Sequence, residues 1–190
     1  MKKIIVFFVL IFLFKVSFAQ NNEIGSHFIL TDQDNQIFDS SKVSKKYLLI
    51  LFGYAHCPAV CPTALNDLTN VIKNNPRILD STQPIFISLD PTVDTPSELK
   101  KFQSHFNKNI VMLTSTQKDL KDGESENEKI KHLSQQYKLY YNKTKDENEE
   151  IGYKIDHSAF FYLIDKNSGK YVGHSALNPE SLKILFAEHR

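Results

Sequence analysis

Residues 47–62 read YLLILFGYAHCPAVCP, in which an apolar run passes directly into the segment that holds both cysteines of the chain. An almost wholly apolar run of this kind is typical of a central strand that is buried on both faces of a sheet. Pro62 disfavours a helical conformation at Cys61, so the following helix is predicted over residues 62–74. The segment between Cys57 and Cys61 is then a loop. Cys61 would stand just before a helix N-terminus, where exposed N–H groups stabilise a thiolate.

Strands and helices alternate along the rest of the chain. The predicted strands span residues 47–54, 85–89, 110–113, 137–141 and 159–164, with hairpins at 28–38 and 159–174 and further helices at 96–106, in the second half of 118–131 and at 179–188. The last helix is expected to bury four apolar residues: Leu182, Ile184, Leu185 and Phe186. Residues 142–152 are charged and are expected to form a solvated, mobile loop. This order predicts an α/β protein with the thioredoxin-like fold, in which helices flank a central mixed sheet, here with an N-terminal hairpin.

The first residues of the chain predict export. Two lysines precede an uninterrupted apolar run over residues 4–14, and the small residues Ser17 and Ala19 follow it. A basic start, an apolar stretch and small residues at the cleavage site are the features of a secretory signal peptide. We therefore expect a signal peptide over residues 1–19 and a protein that works in the periplasm or at the outer face of the inner membrane, where disulfides persist.

The alternative interpretation of this segment is an uncleaved anchor that associates with the membrane through residues 4–18. Lys15 interrupts the apolar run well before the roughly 20 residues that a membrane-spanning helix needs. Cleavage is therefore favoured, and residues 24–190 form the predicted mature domain, which we expect to be a monomer.

Composition excludes one class of function. The 190 residues carry 23 basic and 22 acidic side chains, a formal net charge of +1. A nucleic-acid-binding protein needs a basic face or stripe, and nothing in this balance provides one.

The C-x-x-x-C spacing of Cys57 and Cys61 admits three interpretations. A structural disulfide would close so short a loop that it removes little entropy from the unfolded chain, and a chain of this length can build a core without it. A thioredoxin-type redox pair is usually spaced C-x-x-C. The wider loop favours two thiolates that share a metal ion.

A metal held by two thiolates requires a third ligand, and the chain has seven histidines. His157 lies between the charged loop and a buried strand, where it could face the cysteine loop. His56 adjoins Cys57, where it could tune the thiols or serve as a spare ligand. Residue chemistry alone leaves the choice of histidine open, and it leaves the metal open between copper and zinc, since Cys₂His sites hold either.

Several segments together resemble the Sco/SenC family of copper proteins, which serve assembly of the CuA site of cytochrome c oxidase. The matching segments are GYAHCPAVCP at residues 53–62, FISLDP at 86–91, DTP at 94–96, DHS at 156–158 and YLI at 162–164. They occur in the family's order, and the resemblance covers roughly residues 24–190.

This resemblance implies that Cys57, Cys61 and His157 are the ligands of one copper ion per chain, as Cu(I) or Cu(II). The same two cysteines would form a redox disulfide when oxidised. Asp90 and His56 are expected to support the site, and no catalytic residue is assigned. The implied function is a copper metallochaperone whose partner is the copper-site subunit of cytochrome c oxidase; the sequence identifies no copper donor.

Two enzymatic alternatives remain beside the metallochaperone. A thiol–disulfide oxidoreductase could keep the client's CuA cysteines reduced through a mixed disulfide. Thioredoxin enzymes place a proline before the strand that faces the cysteine pair, whereas this chain has His157, Ser158 and Ala159 there. A peroxide-reducing enzyme would need an arginine near one cysteine, and the chain has only Arg77 and Arg190.

Overall fold

A seven-stranded sheet organises residues 24–147 and 151–189, the parts of the chain that the computed structural model describes. The strands are β1 (Ile29–Asp32), β2 (Ile37–Asp39), β3 (Tyr47–Gly53), β4 (Thr82–Ser88), β5 (Val111–Thr114), β6 (Tyr141–Lys145), β7 (Tyr153–His157), β8 (Phe160–Asp165) and β9 (Tyr171–Ala176). The helices are α1 (Val60–Asn74), α2 (Ile78–Ser81), α3 (Pro96–Gln103), α4 (Glu126–Gln136) and α5 (Pro179–Glu188), with a 3₁₀ turn at Ser40–Lys42. The predicted signal peptide at residues 1–19 lies outside the described residues.

The strand order is β2-β1-β5-β4-β3-β8-β9. Strands β3, β4 and β5 run parallel, and β1, β2, β8 and β9 join them in antiparallel pairs. Strands β6 and β7 form a separate two-stranded sheet. The observed architecture confirms the predicted mixed sheet, its flanking helices and the N-terminal hairpin.

Strand β3 is buried on both faces, as its apolar run predicts. Leu49 and Leu51 pack into one core with α1, α3 and α5. Ile50 and Phe52 point the other way and pack into a second core with α4. This alternation, which follows from the two-residue period of a strand, gives the sheet its two layers of helix and loop.

Helix α1 begins earlier than the sequence predicts. It starts at Val60, so Cys61 lies in its first turn. The prediction that the loop continues up to Cys61 is therefore wrong. Pro62 does not prevent this start, because the first N–H groups of a helix have no intrahelical partner and the missing proline N–H costs nothing there.

The segment after α4 also differs from the prediction. Tyr137 ends α4 instead of beginning an edge strand; it is 0% exposed and its hydroxyl donates to the Ser26 carbonyl at 3.0 Å. Residues 142–145 were expected in a mobile loop, yet they pair with β7 as part of β6. The charged residues of this stretch therefore belong to a regular hairpin that carries the His157 segment.

Helices α3, α4 and α5 begin where the sequence predicts, but α3 ends at Gln103 instead of residue 106 and α4 continues to Gln136 beyond the predicted residue 131. Thr95 caps α3 by accepting the Glu98 N–H at 3.3 Å, and α5 spans the predicted residues 179–188. Ile184 is the exception, since it is 53% exposed instead of buried. Two residues advance a helix by roughly 200°, which turns Ile184 away from the face that buries Leu182. Within the described ranges, no helix has the length and apolar character to cross a membrane.

Candidate metal centre

Three segments meet at the carboxyl ends of the parallel strands. The cysteine loop follows β3, the loop that contains Asp90 and Asp94 follows β4, and β8 begins at the same end because it runs antiparallel to β3. The crevice at the carboxyl ends of parallel strands is where open α/β sheets bind ligands. The order of the strands thus brings Cys57, Cys61 and His157 to one edge of the sheet.

The Cys57 sulfur caps helix α1. Ala59, the residue before the helix, provides no side-chain cap, and Cys57 Sγ accepts the Cys61 N–H at 3.5 Å instead. The pKa of Cys57 is lowered to about 5, first by the hydrogen bond from the Cys61 thiol and then by the N–H groups of Cys61, Ala59 and Val60, against the opposing effect of burial. The thiolate predicted at Cys61 is therefore formed at Cys57.

Cys61 is the buried member of the pair. Its side chain is 1% exposed, and its hydrogen bond to Cys57 together with burial raises its pKa. Both cysteines are free thiols in this structure. The pair therefore consists of a half-buried thiolate at Cys57 and a buried, protonated thiol at Cys61.

The His157 side chain reaches the buried thiol. Its Nε2 lies 3.9 Å from Cys61 Sγ, and its Nδ1 donates to the Ser158 carbonyl at 2.9 Å. Because a carbonyl oxygen only accepts, this bond places the proton of a neutral imidazole on Nδ1 and leaves the Nε2 lone pair facing the sulfur. The ring also packs edge-on against Tyr54, with centroids 6.4 Å apart.

Cys57 and His157 line the same open cleft of about 250 Å³, whose walls include Tyr54 and Pro58. The pairs Cys57–Cys61 and Cys61–His157 are in contact, while Cys57 and His157 face each other across this cleft. Over residues 24–147 and 151–189, no three His, Cys, Asp or Glu side chains are already arranged to hold a metal ion. Two thiol groups and an imidazole fit a soft metal.

His56 does not contact the sulfurs. Its Nδ1 lies 3.7 Å from Oδ1 of Asp94, a carboxyl group that is 0% exposed. Asp94 Oδ2 accepts the Ala55 N–H at 2.9 Å and the Ser88 hydroxyl at 2.6 Å, and burial raises the pKa of Asp94. Sequence reasoning quoted Asp94 only as part of a motif and missed that it anchors the cysteine loop.

Asp90 is also placed away from the sulfurs. It is 2% exposed and is contacted by two residues of the β6–β7 hairpin, Lys143 and Tyr153. Neither partner was predicted from the sequence, because Lys143 lies in the segment expected to be a solvated loop and Tyr153 directly follows it.

Comparisons with known proteins show the family of the chain. The sequence model of the SCO1/SenC family matches residues 17–184. The chain belongs to the SCO1/SenC family. An SCO2-like protein of Rickettsia prowazekii is 36% identical over 163 residues, which cover 86% of this chain and 74% of that protein.

Solved Sco structures share the fold. The copper-bound ScoI of Bradyrhizobium japonicum matches with a TM-score of 0.72 and 31% identity, covering 88% of this chain and 99% of that chain. The copper-bound ScoI of Arabidopsis thaliana matches with a TM-score of 0.70 and 28% identity, over 88% and 98% of the two chains. Both the resemblance to the Sco/SenC family and the thioredoxin-like fold are thereby confirmed.

Proposed function

We propose that this protein is a copper metallochaperone that holds the ion with Cys57, Cys61 and His157 and delivers it to the copper-site subunit of cytochrome c oxidase. The observation that carries the proposal is the contact between Cys61 Sγ and His157 Nε2 at 3.9 Å, across 96 positions of sequence. Membership of the SCO1/SenC family and its two copper-bound relatives support copper as the cargo.

The donor chemistry supports the same choice. Two thiolates and a neutral imidazole form a soft set that suits Cu(I), and Cys/His mixtures also hold Cu(II). Zinc suits the same donors and is the competing ion in vitro. Cys57 already carries a thiolate, so binding requires only the Cys61 thiol to lose its proton to solvent.

The exposure of the donors suits release as well as capture. Cys61 is buried, whereas Cys57 is half-buried and borders the open cleft. A client thiolate that enters the cleft could displace Cys57 first, so that copper passes between proteins without becoming a free ion. We place this transfer outside the cytoplasm, with residues 1–19 acting as a signal peptide and residues 24–190 as the working domain.

The second candidate function is a thiol–disulfide reductase that keeps the client cysteines reduced. It is favoured by the pairing of a half-buried thiolate at Cys57 with a buried thiol at Cys61. Cys57 would attack a client disulfide and release one client thiolate. Cys61 would then displace the second, so that the client gains two electrons and the Cys57–Cys61 pair is oxidised to a disulfide.

Three variants of the exported protein separate the two functions. Reduced wild type should bind one copper in a competition titration, and Cys57→Ser or Cys61→Ser should each lose most of the affinity. His157→Ala should weaken copper binding while both thiols still form their disulfide and still reduce an oxidised CuA-domain peptide. Oxidase assembly in a His157→Ala strain should fail with copper binding. Assembly that survives the loss of copper binding would replace the metallochaperone with the reductase.

A further inference from the structure

Two side chains of the β6–β7 hairpin bind the Asp90 carboxylate. Tyr153 donates its hydroxyl to Oδ2, and Lys143 Nζ lies 3.2 Å from Oδ1. Lys143 Nζ also lies 3.5 Å from the centre of the Tyr153 ring, so the three side chains form one cluster. A carboxylate that is 2% exposed requires such partners, because an unpaired buried charge is costly.

The same face of β7 carries the candidate copper ligand. Residues 153, 155 and 157 alternate along the strand, so Tyr153, Ile155 and His157 share one face. Each meets a different part of the protein: Tyr153 meets Asp90, Ile155 is buried in the second core, and His157 meets Cys61. Four residues of strand separate the first contact from the last by about 13 Å.

The hairpin has no strand pairing with the seven-stranded sheet. Strands β6 and β7 pair only with each other among the described residues. The Ser158 N–H donates to the Tyr140 carbonyl at 2.9 Å, which closes the base of the hairpin itself. Its contacts with the rest of the protein include Ile155 and the partly buried Tyr141 in the second core, and the Asp90 cluster. The position of His157 therefore depends on a small number of side-chain contacts instead of on a sheet ladder.

The turn that contains Asp90 is also tied to the cysteine loop. The Asp94 N–H donates to the Asp90 carbonyl at 2.9 Å, and the Asp94 carboxyl group accepts the Ala55 N–H at 2.9 Å. One turn thus holds the cysteine loop through Asp94 and the histidine hairpin through Asp90. The distance between the cysteines and His157 therefore depends on the contacts that Asp94 and Asp90 make from this turn.

We propose that Lys143 and Tyr153 are positioning residues of the copper site, which clamp the hairpin to Asp90 and thereby keep His157 Nε2 beside Cys61 Sγ. This inference rests on the proposed function, because it assigns the clamp a role in copper binding. Neither residue touches the ion; Tyr153 acts through β7 and Lys143 through β6, which pairs with it. The clamp holds the histidine in place, so that the site could exchange its more exposed ligand, Cys57, without losing the imidazole.

The chain offers a graded set of variants. Tyr153→Phe removes only the hydroxyl, Lys143→Met removes the cation and keeps the apolar stem, and Lys143→Arg restores a cation. Lys145→Met is the matched control. Lys145 lies two residues along the same strand, but its side chain is 81% exposed and pairs with Glu147 at 3.0 Å.

The first measurement needs no metal. In the reduced apo protein, hydrogen exchange of the β7 amides should accelerate about tenfold or more in Tyr153→Phe and Lys143→Met, as expected when a hydrogen bond to a charged group is lost. The amides of β3 and β4 should keep their wild-type rates. Lys145→Met should match wild type, and Lys143→Arg should recover most of the protection.

The second measurement is made with copper. The Cu(II) spectrum of Tyr153→Phe should move toward that of His157→Ala, and its copper affinity should fall about tenfold, since binding must now also dock the hairpin. Wild-type exchange and an unchanged spectrum in both clamp variants would overturn the inference and leave the metallochaperone intact. Equal acceleration of exchange in β7 and β3 would overturn it too, because the residues would then serve only global stability. A wild-type protein without copper affinity would refute the proposed function and the clamp's role in copper binding together.

Discussion

Gly53 and Cys61 approach each other so closely that a Cβ atom on Gly53 would stand 2.6 Å from Cys61 Sγ. The same atom would lie 2.8 Å from the ring of Phe86, a residue that is 0% exposed. The last residue of β3 therefore has to lack a side chain for the buried sulfur to sit where it meets His157. The glycine of the motif is explained by packing against the site and not by a turn.

Gly53→Ala should destabilise the protein by about 1–3 kcal/mol, the usual cost of forcing extra atoms into a packed core. It should also weaken copper binding, because the added methyl group can be accommodated only if the Cys61 sulfur is displaced. Urea unfolding and a copper competition titration test both effects. Gly173→Ala is the control, since its Cβ would lie 3.1 Å from the end of the Leu185 side chain and 3.6 Å from the His189 ring, both of which are side-chain atoms outside the site. Equal effects in the two variants would contradict a specific role for Gly53.

The two thiols should differ sharply in reactivity. Because the pKa of Cys57 is lowered to about 5, its alkylation by iodoacetamide should remain fast at neutral pH and fall by half near pH 5. Cys61 is 1% exposed and its pKa is raised, so it should stay unmodified in the native protein. Mass spectrometry of the labelled peptides gives both rates. Preferential labelling of Cys61 would contradict the assignment of the thiolate.

The same shift has a consequence for stability. A thiol whose pKa is lower in the folded than in the unfolded state stabilises the fold fully above the unfolded value, about 8.5, and loses this contribution as the pH falls through the folded value. The stabilisation contributed by Cys57 should therefore decline from pH 8.5 to about pH 5, and Cys57→Ser should remove that part of the pH dependence.

Local patterns predicted the central strand, the start of α3 and both ends of α5, because each depends on residues close in sequence. The hairpin was not predictable in the same way. Lys143 pairs with the buried Asp90, which lies 53 positions earlier, so a charged stretch that looks solvated in isolation is in fact anchored. The hairpin contacts the second core through the buried Ile155 and the partly buried Tyr141 and Tyr153, which are too few to make a clear periodic signal.

The candidate site shows the same division. The cysteine pair was evident from the sequence, but residue chemistry left the histidine undecided until the family resemblance selected His157. The position of the thiolate was predicted at the wrong cysteine, because it depends on where α1 begins. Once the helix starts at Val60, its first N–H groups point at Cys57, and Cys61 is carried into the core.

Processing of the N-terminus is a separate prediction. The exported protein should begin at Gln20, because the apolar run of residues 4–14 is followed by small residues at the cleavage site. Intact-mass spectrometry of protein from the periplasmic fraction measures this directly. Recovery of intact Met1 in the membrane fraction would instead show that the segment is retained as an anchor.

Asp94 should be the residue whose loss disturbs the cysteine loop most. Asp94→Ala leaves the Ala55 N–H and the Ser88 hydroxyl without their acceptor in a buried position, which should cost about 1–3 kcal/mol for each group that stays unpaired. Asp94→Asn keeps an acceptor oxygen and should recover part of the loss.

Copper affinity should fall more in Asp94→Ala than in Asp94→Asn. The reason is that the loop that carries Cys57 loses its link to the turn that also holds the hairpin. Urea unfolding gives the stability, and competition titration gives the affinity. Asp34→Ala, at an exposed ion pair with Lys100, is the control and should change neither quantity appreciably. If Asp94→Ala destabilised the fold but kept wild-type copper affinity, the turn would support the core without setting the geometry of the donors.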